Sequence, residues 1–416
     1  MRPRRVAVIG AGAAGTMAAI FAARVGAEVV LYERTRDGGR KILISGGGRC
    51  NVLPARLDES RFVTDSSPHT LKNILRSWPL AAQIEFFEKE LLLPLVEEPE
   101  SAKLFPVSNR ARDVRDALLD RASQSGARPV FGTLVTGLVP AGERWLVEAE
   151  DGSGEFDAVI VASGGLSVPK TGSDGLGLGI LQRLGHAIHA TYPALTPITC
   201  QPSPFADLSG VSLPVSITAH DLASGRRASA TGGFLFTHRG YSGPSVLDVS
   251  HVLVRARAEG RPDARLTVQW TPLPASAWED RFRASGSRTA LNLVRSALPG
   301  RLAERLVALA GVAPERTLPQ LRKEERHALV SALARFELPW TGDEGYHKAE
   351  VTGGGVSLAE INPRTMQSRL HAGLFLCGEV LDAFGPIGGY NFLWAWVTGR
   401  AAGLGAAAPA NGPVTQ

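Results

Sequence analysis

Apolar residues gather near both ends of this chain in short continuous runs. Residues 5–9 read Arg-Val-Ala-Val-Ile and 28–33 read Glu-Val-Val-Leu-Tyr-Glu, each the length of one buried strand. Between them 16–26 is alanine-rich and reads as a helix. Helical spacing of apolar residues recurs at 71–77, 80–91 and 112–123, and 130–138 is β-rich. Segments 145–149 and 155–165 complete a meander and a return strand, and the glycine-rich 172–185 opens a helix. From about residue 191 the texture changes. A proline-rich stretch, 195–204, reads as a linker, and 215–219, 232–237 and 266–270 are short β-type runs. A helix at 245–255 follows, and 278–336 reads as several helices punctuated at Pro299, Pro314 and Pro319. The chain returns through Val-Thr-Gly-Gly-Gly at 351–355 and a buried strand at 373–379 that ends in glycine and an acid. An apolar helix, 392–404, closes it, and the alanine-rich tail beyond is expected to fray. The pattern predicts an α/β domain from 1–190 and 350–410. It is interrupted by an insert at 191–349, a small β-barrel over 195–275 and helical over 276–340.

The first strand turns through Gly-Ala-Gly-Ala-Ala-Gly at 10–15 into the alanine-rich helix, and the second strand ends on Glu33. Strand, glycine turn, helix, strand and terminal acid make a dinucleotide-binding βαβ unit. Gly10 permits the turn, Gly12 lets backbone approach a pyrophosphate, and Gly15 lets the helix pack closely on the strand. Ala13 and Ala14 lie in the first turn, whose N–H groups and partial positive charge suit phosphate. Glu33 stands eighteen residues past Gly15, placed to accept both ribose hydroxyls and to repel a 2′-phosphate. Arg34 follows it as a further contact. No second complete fingerprint occurs at 172–185, so a nicotinamide donor, NADH or NADPH, would bind only transiently.

Composition narrows the classes. A length of 416 residues implies two or three domains, and 44% hydrophobic with 20% charged residues is ordinary for a soluble protein. The formal charge of +5 and pI near 9.3 permit an anionic ligand without requiring nucleic acid. Cys50, Cys200 and Cys377 form no Cys-x-x-Cys pair, which points to a reducing compartment. The first strand starts within five residues, leaving no room for a leader, and no run approaches the ~18 apolar residues of a membrane span. A cytoplasmic protein without membrane or metal is expected, its oligomeric state left open.

A second glycine-rich loop, Arg-Lys-Ile-Leu-Ile-Ser-Gly-Gly-Gly-Arg-Cys-Asn at 40–51, brings Lys41, Ser45, Gly46, Gly47, Arg49, Cys50 and Asn51 beside the first unit. Together with 10–15 and Glu33, this loop resembles the bacterial flavoproteins of the BaiN/YhiN-type, or HI0933-like, family. The resemblance extends to Lys-Leu-Phe-Pro at 103–106, Phe-Thr-His-Arg-Gly-Tyr-Ser-Gly-Pro at 236–244 and Gly-Gly-Tyr-Asn at 388–391. It implies a Rossmann-like FAD-binding domain of the two-dinucleotide-fold type. Ala162, Ser163 and Gly164 stand where such proteins carry their Ala-Thr-Gly turn, and the 130–138 strand, with Val135, is a candidate for adenine contacts. Gly378, Glu379 and Asp382 match the acid-bearing segment near the ribityl chain. Gly389, Tyr390, Asn391 and Phe392 match the segment that opens the last helix toward the flavin pyrimidine. Phe392, and the Pro386-Ile387 pair, depart from the family pattern, which bears on substrate rather than cofactor.

Three glycine-rich segments converge only on one long ligand, and FAD is long enough where NAD would need only the first. The expected function is hydride transfer between a small organic substrate and the flavin, with O2 or NAD(P)H as the other partner. The resemblance allows reduction of an activated C=C or oxidation of an amine. An FAD-containing protein that binds tRNA and a flavin redox sensor are the alternatives. Candidates for catalysis are Tyr390, Cys50, His238 and Tyr241. Each has a plainer role: packing for Tyr390, core filling for Cys50, and loop support for His238 and Tyr241.

Overall fold

The computed structural model describes residues 2–261 and 263–409. The chain divides into two compact units, Met1–Tyr192 with Val351–Gln416, and Pro193–Glu350. The first unit is built on a five-stranded parallel sheet. Its strands, in spatial order, are Leu374–Leu376, Ala158–Val161, β1 (Arg5–Ile9), β2 (Glu28–Glu33) and Arg128–Phe131. Ile9 is level with both Val161 and Tyr32, and Val161 with Leu376. The carboxyl ends of four strands therefore share one rim, where open α/β sheets bind ligands.

Two apolar helices cover one another against this sheet: α1 (Ala13–Arg24) and the last helix, Tyr390–Ala407. A Cβ on Gly399 would fall 2.4 Å from Ala14 O, and one on Gly403 would fall 2.4 Å from Ala18 O. Two pairs of small residues four apart therefore interlock at backbone distance, which larger side chains would prevent. Helix formation extends on both sides of the expected 392–404. The tail beyond 409 lies outside the described residues.

Two segments of this unit differ from the sequence reading. The β-rich 130–138 is two strands rather than one. Gly132 adopts φ +76°, and Gly132 and Thr133 donate their N–H groups to Thr35 O and Glu33 O at 2.9 and 3.0 Å. The chain thus leaves the parallel sheet, and Val135–Ala141 begins a separate antiparallel meander with Arg144–Ala149 and Gly152–Phe156. Lys103–Pro106, a segment of the family resemblance whose proline suits a loop or edge, is the middle strand between Leu53–Pro54 and Leu95–Glu98. Pro106 is tolerated because it ends the strand.

The second unit holds a seven-stranded antiparallel sheet beside the helices Ala275–Phe282, Ala290–Arg295, Gly300–Leu309 and Lys323–Ala334. Its core includes Phe234, Phe236, Tyr241, Trp270 and Phe282, all below 2% exposed. The strand order ends in Phe336–Glu337 and Gly342–Asp343, two-residue strands not paired to one another among the described residues. The sheet is thus open where a closed barrel was expected, since such short outer strands offer too few hydrogen bonds to seal it. Nor is 195–204 a plain linker. Ile198–Thr199 is a strand of this sheet and Leu195, Ile198 and Cys200 are buried.

Candidate functional site

Everything that follows belongs to the first unit unless stated. At the sheet rim the first backbone bond of α1 runs from Thr16 N–H to Gly12 O at 3.0 Å. The N–H groups of Ala13, Ala14 and Gly15 thus precede the helical ladder. A Cβ on Gly12 would meet nothing within 4 Å, whereas one on Gly10 would fall 2.6 Å from Ala162 O. Gly12 faces open space, and Gly10 is wedged against the neighbouring strand end. Glu33 already accepts from Ala11 N–H and Thr35 N–H, both at 2.9 Å, and from Thr35 Oγ1 at 2.7 Å. Its two oxygens hold about four lone-pair sites, so one remains for a ribose hydroxyl. Val135 starts its strand two residues past Thr133, whose N–H is bonded to the backbone carbonyl of Glu33, and is buried.

The acid-bearing segment closes on the same rim. Gly378 sits so close to α1 that an added Cβ would lie 2.8 Å from that of Ala14. Glu379 accepts from Lys41 Nζ at 2.8 Å, Ser167 Oγ at 2.6 Å and Thr352 N–H at 3.0 Å. Burial pushes the Glu379 carboxyl up, but Lys41, Ser167 and Thr352 together pull it below its ordinary value. It is an ionised, fully engaged carboxylate. Lys41 also donates to Ser167 Oγ at 2.7 Å. Lys41 is thus the counter-ion of Glu379, and Arg34 pairs with Asp174. Ser163 Oγ is buried with no hydrogen-bond partner among the described residues.

From Lys41 the short helix Arg40–Ile44 leads into the triple glycine. Gly46, Gly47 and Gly48 all have positive φ, +55°, +67° and +85°, a run that only glycine adopts without strain. Ser45 Oγ donates to Ile42 O at 2.7 Å and ends the helix. Arg49 pairs with Glu98 at 2.9 Å and lies over the Phe105 ring at 4.2 Å. A Cβ on Gly46 would touch that same ring at 3.3 Å and Asn51 N at 3.1 Å, while one on Gly389 would fall 2.4 Å from Leu53 C. The loop, Lys103–Pro106 and the head of the last helix thus form one cluster. Helix Arg40–Ile44, through Lys41 and Glu379, ties that cluster to the sheet rim.

Several candidates take structural roles. Cys50 is fully buried and its thiol is pushed up to about 12, so it is no nucleophile. Tyr390 packs its ring on Phe62 at 5.6 Å and donates its hydroxyl to Arg56 O at 3.3 Å. Asn391 bonds both ends of its amide to Gly385, at 2.9 Å each, and shapes the 385–391 loop. Phe392 stacks on Trp396 at 5.4 Å. Asp382 is 2% exposed, and its Oδ2 accepts from Thr64, Asp65 and Ser66, which takes it from the ribityl role to bracing the 64–66 loop. In the second unit Tyr241 is a core residue donating to Pro339 O at 3.0 Å, while His238 is exposed in a hairpin turn. The sequence reading missed Ser167 and Thr352, which hold Glu379. It also missed the glycine pair four apart at 399 and 403, which was visible inside an apolar helix.

This rim, with its glycine turn, ribose acid and second glycine cluster, defines a Rossmann-type dinucleotide-binding oxidoreductase fold. The chain belongs to the HI0933-like family, whose Rossmann domain matches residues 4–405, and this family membership makes it an FAD-dependent oxidoreductase. A 3-dehydro-bile acid delta(4,6)-reductase of Clostridium scindens is 30% identical over 97% of this chain and 99% of its own. A ribosomal RNA dihydrouridine synthase of Escherichia coli is 32% identical over 94% of each. Among solved structures, a 3-ketosteroid-delta4-(5alpha)-dehydrogenase from Rhodococcus jostii RHA1 aligns over 98% of this chain and 100% of its own. That match has 16% identity and a TM-score of 0.48, too loose to bear on function. Among the described residues no helix is long and apolar enough to cross a membrane, and no cluster has metal-ligand composition.

Proposed function

We propose that this protein reduces a conjugated carbon–carbon double bond, with FAD held along the rim from Glu33 to Gly389. The open space before Gly12, the orphaned Ser163 hydroxyl and the unladdered N–H groups of α1 fit the group. In this reading Glu33 takes a ribose hydroxyl and the α1 amides take the pyrophosphate. The left-handed glycines at 46–48 present bare backbone to the ring system. The N-terminus of Tyr390–Ala407 places partial positive charge where the reduced ring carries negative charge. When bound, FAD supplies two-electron hydride chemistry.

The observation that carries the reading is the connection of the two clusters through Arg40–Ile44, which suits one elongated dinucleotide. Reduction of C=C is favoured over amine oxidation because the two relatives described above are named a delta(4,6)-reductase and a dihydrouridine synthase. NADH or NADPH as transient donor is part of the proposal. The test is anaerobic: the purified yellow protein is bleached with NADH or NADPH, then mixed with cyclohexenone. Colour should return with the enone, and benzylamine should not bleach the oxidised protein. A colourless protein that takes up no FAD, or bleaching by the amine alone, would overturn the proposal.

A base in RNA is the second reading of the substrate, favoured by the formal charge of +5 and by the E. coli relative's name. It predicts a gel shift with an rRNA fragment that weakens steeply with salt. No shift at low salt removes it.

A further inference from the structure

Beside the head of the last helix lies a pocket of about 250 Å³, lined among others by Arg56, Asp58, Arg61, Ser101, Gly388 and Tyr390. That is below the ~300–1,000 Å³ of pockets enclosing a whole drug-sized ligand, so it accommodates one group of a larger molecule. Among the described residues the Arg56 guanidinium has no ion-pair or hydrogen-bond partner, and the Arg61 guanidinium lies over the Tyr390 ring at 5.4 Å. Lys103 adds a third positive charge near the pocket, its stem running alongside Gly388, where an added Cβ would meet Lys103 Cε at 3.3 Å. Asp58, the one acid in the lining, is turned onto Ser60, accepting its N–H at 3.0 Å and its hydroxyl at 2.6 Å. Glu98, behind Ser101, is held by Arg49 at 2.9 Å and by Ser101 Oγ at 2.6 Å. Arg61 also faces Asp58 and Lys103 faces Glu98, so Arg56 is the guanidinium at the pocket left without a carboxylate among the described residues. Gly388 adjoins Gly389, the cap of the last helix, whose N-terminus the reductase reading places at the flavin ring.

We propose that this pocket is an oxyanion subsite, taking a carboxylate or phosphate carried by the molecule that is reduced, with Arg56 as its recognition residue. This rests on the reductase reading, but the site can be tested apart from it. Arginine suits the role because its fork matches both groups in two-point geometry. Tyr390 contributes by fixing the backbone beneath Arg56, through its hydroxyl bond to Arg56 O.

Calorimetric titration of the FAD-loaded protein with inorganic phosphate and with acetate tests binding directly. At least one anion should bind, about tenfold more weakly to Arg56→Gln, as loss of one charged hydrogen-bonding partner implies, and with an intermediate loss for Arg56→Lys, which keeps the charge but not the fork. A preference for phosphate points to a phosphorylated substrate, and one for acetate to an organic acid. A second arm compares monomethyl with dimethyl fumarate, which differ by one carboxylate. The ratio of their kcat/KM values should fall about tenfold in Arg56→Gln. Anion binding that depends on Arg56 without reduction of either ester keeps the subsite and removes the reductase reading. Reduction with no dependence on Arg56 in either arm, or no anion binding at all, overturns the subsite.

Discussion

Replacing Lys41 with Met isolates the ion pair that joins the glycine loop to the acid-bearing segment. Lys41 Nζ lies 2.8 Å from Glu379 Oε2, with side chains 28% and 17% exposed. An exposed pair is worth ~0–1 kcal/mol, and removing one partner of a buried pair costs ~3–5 kcal/mol. This pair lies between, and Glu379 would keep Ser167 and the Thr352 N–H. The expected loss at neutral pH is therefore about 2 kcal/mol. The pH dependence follows from the direction of the shift. In the native protein Glu379 titrates below its ordinary 4.5, so its contribution is full above that value and is lost as pH falls through the folded value. Without Lys41 burial dominates and the carboxyl rises, so the deficit of Lys41→Met is largest near neutrality and shrinks as the pH falls toward 4.5. Urea unfolding of Lys41→Met, Glu379→Gln and the double variant at several pH values measures this. If the two single losses add to within about 0.5 kcal/mol in the double variant, the residues are uncoupled and the reasoning fails.

Three further outcomes follow from the geometry. Gly403→Val should cost about 2–3 kcal/mol by overpacking the seam with α1, and an unchanged urea midpoint would refute the close crossing. Ellman's reagent should leave the native protein unlabelled, because all three cysteines are buried and the Cys50 thiol is pushed up to about 12; fast labelling at pH 8 would contradict that burial. Burial lowers His186 below 6.5, against the pull of Glu360. Its stabilising neutral form is thus complete above that pH and is lost as pH falls through the folded value. Unfolding free energy should decline below pH 6.5, and His186→Asn should flatten that decline; identical slopes would exclude His186 as the source.

The first fifty residues were legible because every layer of their signal is local. A five-residue apolar run, a glycine turn, an alanine-rich helix and a terminal acid each dictate their own conformation, and together leave one arrangement. Functional meaning was harder to read from single residues. Lys41, Arg34 and Asp382 look like ligand contacts in sequence, yet each is claimed by a partner more than a hundred residues away: Glu379, Asp174 and the 64–66 loop. The Cys50 thiol and the Tyr390 phenol tell the same story, since burial turned both into packing residues. The 130–138 strand was misread because a hydrogen bond from Thr133 to Glu33 O, not local propensity, breaks it.

The sequence by itself determined the strand–helix–strand unit, which rests on spacing within a few tens of residues, and its motifs carried the resemblance that implied the family and its flavin. Only the tertiary structure decided which charges are spent inside the protein and which still face a ligand. That choice depends on pairings between distant segments, Lys41 with Glu379 and Gly389 with Leu53. A side chain's availability is a property of what surrounds it, and no local pattern encodes it. Arg56, unremarked in the sequence, stands out only once its neighbours are seen to be satisfied.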